Sequence, residues 1–152
     1  MRTRRSRPVH AHLGADPRCW LPYGELQDWR NSLRDDGGVT KAQHLVDTNG
    51  AQHATNLDRR NQQSAAVHLM SLCESLEFVI SGRQLRTMIG TWTHRDYPIL
   101  QPAPDHYALS VRDVADAVPE RRSIVQEMAR TTWDSWAMHH DVIRSKLSTQ
   151  ST

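Results

Sequence analysis

An all-α fold, a small orthogonal or bundle-like domain of four to six helices behind a disordered basic N-terminal arm, is what this sequence predicts. Three observations carry that prediction. Apolar residues recur at helical spacing through several long segments, no stretch alternates cleanly as a half-buried strand does, and residues 1–18 hold almost nothing that a core could bury. With 152 residues the chain can build one core without disulfides or metal staples. The expected organisation is an arm over 1–18, a single helical domain over 19–147 and a frayed tail over 148–152.

The arm mixes Arg, His, Pro and Gly, and ordering it would cost backbone entropy that no hydrophobic contact offsets. Its charge is distinctive. Five arginines (Arg2, Arg4, Arg5, Arg7, Arg18) against Asp16 give +4 in residues 1–18, which leaves −2 for the rest of a chain of net charge +2. A slightly acidic body carrying a basic arm points to the arm as the part that meets a polyanion.

The first helix is predicted from Pro22, with Leu26, Trp29 and Leu33 on one face and Gly37-Gly38 as its stop. Residues 39–55 read as a short helix plus loop, because Asn49-Gly50 is also a good hairpin turn. Asn56 is the expected cap of the next helix, which runs to Ser81 and ends at Gly82 as a left-handed C′ residue. In that helix His68, Ser71, Glu74 and Ser75 share one narrow face and the rest of the circumference is apolar, the pattern of a central buried helix. Leu85, Met88, Ile89 and Trp92 define a helix over 83–92, with Arg83, Arg86 and Thr87 turned away from its stripe. Pro98, Pro102 and Pro104 exclude regular helix from about His94 to Asp105. Ser110 with Asp113 then forms a capping-box pattern, Pro119 ends a short helix, and a last helix is expected from Glu120 to about Leu147.

The segment Leu109 to Met128, LSVRDVADAVPERRSIVQEM, has Ala115 where two helices would touch and Val114, Val118, Val125 and Met128 at the apolar positions around it. It resembles the helix-turn-helix of DNA-binding domains over about 20 residues. That resemblance would place Arg121, Arg122, Ser123 and Gln126 at the groove, although Pro119 stands where the pattern favours glycine. Trp133 and Trp136 lie three apart on the last helix, with Trp136 in the inward stripe and Trp133 at its edge, half available to a partner.

No secretory signal, membrane span, Walker loop, dinucleotide fingerprint or nucleophile elbow is present, and no histidine pair has i, i+3 or i, i+4 spacing for a metal. Neither a cofactor nor a metal is indicated. Cys19 and Cys73 lie far apart, which fits a reducing compartment. The reading is a non-catalytic, intracellular nucleic-acid-associated protein acting through Arg2, Arg4, Arg5 and Arg7 of the arm and the helix pair at 110–128. Its alternative is a helical assembly or adaptor module that docks a protein partner, or a second copy, at Trp133.

Overall fold

The structure is a computed structural model that describes residues 22–54, 58–92 and 96–150. It is all-helical among those residues, as predicted, with seven α-helices against the four to six expected: α1 (Gln27–Ser32), α2 (Asp36–Gln52), α3 (Arg59–Glu77), α4 (Gly82–Thr91), α5 (Val111–Asp116), α6 (Arg121–Ser135) and α7 (His140–Gln150). A helical turn over 22–25 precedes α1, and a 3-10 turn, Ala137–His139, joins α6 to α7.

The central element is α2, which packs on α3, α4 and α6. Its 17 residues replace the short helix and loop expected over 39–55. The reason lies in its ends and its face. Gly37-Gly38 does not stop α1; it lies in the first turn of α2, where the Asp35 side chain accepts from Gly38 N at 3.1 Å. The buried face of α2 carries Gln43, His44, Asp47, Thr48 and Asn49 beside Val39, Ala42 and Leu45, so it shows no clean apolar stripe. Gly50 sits in the helix rather than in a turn, and a Cβ there would overlap the His68 ring that α3 lays against it.

Capping α3 falls to Asp58, whose side chain accepts from Asn61 N at 2.9 Å; Asn56 lies outside the described residues. The helix stops at Glu77 instead of Ser81, and Gly82 is not its C′ residue. Gly82 instead opens α4 behind a Ser81–Gln84 capping box. Its N–H donates to Thr40 Oγ1 at 2.9 Å, and a Cβ would meet Val39 O at 2.7 Å, so glycine is needed for the close approach of α4 to α2.

Two apolar clusters flank α2. One joins Leu69, Met70, Leu72, Cys73, Trp92, Leu100, Trp133, Trp136, Ile143 and Leu147. The other holds Tyr23, Leu26, Leu45, Val111, Val114, Val125 and Met128. Helix α6 contributes to both.

The single helix expected from Glu120 to Leu147 is broken after Ser135, and α7 runs on to Gln150. Trp136 is fully buried, as its spacing implied. Trp133 differs from its expected role: it is 5% exposed, and the His140 ring stacks on it at 3.7 Å and 8°. His140 Nε2 also bonds Trp133 O at 2.7 Å, and His139 Nε2 bonds Pro102 O at 2.9 Å. The adjacent histidines thus fasten the break between α6 and α7. Cys73 is buried against Glu77, and burial pushes its thiol up to about 12, which makes it an inert packing residue.

Candidate anion-binding cleft

Where α1, α2 and α4 meet, they leave a cleft of about 610 Å³, a size suited to a small ligand or part of a larger one. The apolar floor is Leu33, Val39 and Val46. Four arginines line it: Arg30 from α1, Arg34 from the connection to α2, and Arg83 and Arg86 from α4. No carboxylate belongs to the lining.

The four differ in how far their charge is compensated. Arg83 is held by Asp36 Oδ1 at 2.7 Å and donates to Arg34 O at 2.6 Å. Among the described residues Arg30 donates only to neutral groups, Tyr23 OH at 3.1 Å and Gln27 Oε1 at 2.6 Å. Arg86 reaches the Gln43 side-chain oxygen at 3.4 Å, and the Arg34 guanidinium has no acidic partner among the described residues. Three guanidinium groups therefore line one cleft with no acidic partner among the described residues, an arrangement that favours bidentate binding of phosphate or carboxylate.

Behind the cleft a buried polar seam sets Gln43. Its amide donates to Asp47 Oδ1 at 3.0 Å, and the same carboxylate takes His68 Nδ1 at 2.9 Å and the Ser71 hydroxyl at 2.5 Å. Asp47 is 1% exposed, and its three partners come from both helices of the α2–α3 pair. The narrow polar face read on α3 is the half of this seam that α3 supplies. Next to it, His44 Nε2 bonds Ser75 Oγ at 2.7 Å.

Burial, with the like charges of Lys41 and Arg130, lowers the His44 imidazole from 6.5 to about 4. The unfolded chain takes that proton near 6.5, so it binds more protons than the folded chain between the two values. Stability conferred by neutral His44 is therefore present above about 6.5 and is lost as pH falls towards 4, by about 3 kcal/mol for a displacement of this size. Urea unfolding at pH 7 and pH 4.5 is expected to show this loss, and His44→Gln is expected to flatten it. An equal pH dependence in that variant would assign the loss to other groups.

The residues singled out from sequence lie elsewhere. Arg2, Arg4, Arg5 and Arg7 are outside the described residues. In the helix pair, Val114, Val125 and Met128 pack as expected, but Val118 is 66% exposed. Arg121 folds back on the corner, donating to Ala115 O at 3.0 Å and lying 5.9 Å from the Trp29 ring. Arg122 pairs with both oxygens of Asp35 at 2.7 and 2.9 Å, and its guanidinium holds that carboxyl well below the usual range. Gln126 accepts from Lys41 Nζ. Only Ser123 stands exposed without such a tie. Arg121, Arg122 and Gln126 thus fasten α6 to the corner and to the start of α2, and do not form one free face.

Residues 9–137 match the model of a family of unknown function, DUF5946. The chain belongs to that family. No curated protein and no solved structure matches it. The DUF5946 match takes in every residue of the arginine cleft and the whole α2–α3 seam, and it begins after Arg2, Arg4, Arg5 and Arg7. Sequence reading missed the cleft because Arg83 and Arg86 look like an ordinary solvated face. The signal in the sequence was like charges repeated at helical spacing, Arg83/Arg86 and Arg30/Arg34, without acids placed to pair them. Among the described residues no three metal-ligating side chains gather, and no helix is long and apolar enough to cross a membrane.

Proposed function

We propose that this chain is a non-catalytic nucleic-acid-associated protein that holds backbone phosphates in the cleft between α1, α2 and α4. The observation that supports this reading most is the convergence of Arg30, Arg34 and Arg86 without an acid in the lining. Arg83, fixed by Asp36, adds a fourth guanidinium at the mouth. Phosphate binding of this kind gives affinity and salt dependence without base specificity. The arm, through Arg2, Arg4, Arg5 and Arg7, supplies further cations along the strand. The assembly alternative drew on Trp133, and with that ring stacked under His140 it gives no second proposal.

Fluorescence anisotropy with a labelled oligonucleotide across a salt series tests the reading. Arg34→Ala with Arg86→Ala is expected to weaken binding and to make the slope of log affinity against log salt shallower by about two, roughly one for each phosphate that is no longer neutralised. Deletion of residues 2–18 is expected to lower the slope further without abolishing binding. Unchanged affinity and slope in the double variant, or complete loss of binding on deletion of the arm alone, would contradict a role for the cleft.

A further inference from the structure

A second cleft, of about 360 Å³, opens on another face of α2, between the C-terminal end of α3 and α6. Its polar wall brings together Lys41, His44, Ser75, Gln126 and Arg130. Lys41 donates to the neutral Gln126 side chain, and Arg130 has no acidic partner among the described residues. The one acid in the lining, Asp36, is already taken by Arg83 at 2.7 Å. Two cations are therefore held near each other with no ion-pair partner among the described residues, and burial together with Arg130 lowers the Lys41 ammonium.

The deep part of this wall holds a buried polar side chain that is only partly engaged. His44 is 4% exposed, its Nε2 is engaged by Ser75, and its Nδ1 has no hydrogen-bond partner among the described residues. The tautomer in which the Ser75 hydroxyl donates to Nε2 and the ring proton sits on Nδ1 gives the neutral ring a donor to spare. In that tautomer a buried donor is left without an acceptor, which is costly, and an anion drawn in by Lys41 and Arg130 would supply one. The opposite lip is apolar, formed by Leu76, Val79 and Ile80, with Val79 84% exposed.

We propose that this second cleft binds a small organic phosphate monoester, its dianionic head between Lys41 and Arg130 and its apolar part on Leu76, Val79 and Ile80. Two unmatched cations with an imidazole donor suit a dianion with three oxygens better than a monoanionic carboxylate. The volume fits a compact ligand. The site is separate from the arginine cleft and shares none of its lining residues.

Titration calorimetry with phenyl phosphate, inorganic phosphate and benzoate tests this on the full chain. Phenyl phosphate is expected to bind more tightly than the other two. Arg130→Gln, a change at an exposed position, and Lys41→Gln are each expected to weaken it by about tenfold or more, the scale of one charge-assisted hydrogen bond. Arg34→Ala with Arg86→Ala should leave it unchanged, so this result and the oligonucleotide result can fail independently. Saturating phenyl phosphate is also expected to raise the His44 pKa, read from its ring proton shifts, an effect that a purely structural histidine would not show. The proposal is overturned if phenyl phosphate does not bind, if binding survives both Lys41→Gln and Arg130→Gln, or if it is lost in the Arg34/Arg86 variant instead. Benzoate binding as tightly as phenyl phosphate would overturn the assignment to a phosphate.

Discussion

Trp136→Ala is expected to destabilise the fold by about 3–5 kcal/mol. Trp136 is the largest fully buried side chain, set at the break between α6 and α7 where Trp133, Ile143 and Leu147 also pack. Its removal leaves a cavity that the surrounding helices cannot fill, because His139 and His140 tie the break to backbone carbonyls of Pro102 and Trp133. Against a typical total stability of about 5–15 kcal/mol, such a loss leaves a marginal protein. Trp133→Ala is expected to destabilise by a comparable amount, since its ring is also enclosed. Thermal and urea melts on both variants check this; a Trp133 variant as stable as wild type would restore the tryptophan to the edge role its spacing suggested.

Asp47→Ala is expected to cost about 3–5 kcal/mol through a different mechanism. The carboxylate accepts from Gln43, His68 and Ser71, and the Ser71 hydroxyl has no access to water. Removing the acceptor strands several donors between α2 and α3. Ser71→Ala removes only one donor and should cost about 1 kcal/mol, so the ratio of the two losses separates stranded polarity from impaired packing. Asp47→Ala is also expected to loosen Gln43 and hence the position of Arg86 in the cleft. Equilibrium urea unfolding that places Asp47→Ala within about 1 kcal/mol of wild type would contradict the seam's structural role.

Helices whose buried face is apolar were legible in the sequence. The stripe Leu85, Met88, Ile89 and Trp92 marked α4, and Ser110 with Asp113 marked the start of α5. What was not legible was burial that runs against hydropathy. The inward face of α2 is half polar, and its polar groups meet partners 21 to 31 residues later in the chain. A local reading of 39–55 has no access to those partners, so Asn49-Gly50 looked like a turn. Gly82 misled for a related reason, since its absent side chain answers to the backbone of Val39 and Thr40. The break after Ser135 was hidden because the 3-10 turn still delivers Trp136 and Ile143 to one core.

The candidate site follows the same division. The basic character of Arg121 and Arg122 was visible, but their engagement by Ala115 and Asp35 was not. Conversely, Arg30, Arg34, Arg83 and Arg86 are separate charges along the chain, and only the packing around α2 sets them in one lining.

The most direct test of nucleic-acid binding by the arginine cleft is a heteronuclear NMR titration of the full chain with a short oligonucleotide. The proposal predicts that the largest amide and arginine Nε–H shifts fall on Arg30, Arg34, Gln43, Arg83 and Arg86. Shifts confined to the exposed face of α6 around Ser123 and Glu127, or no shifts among the cleft residues at saturation, would contradict it.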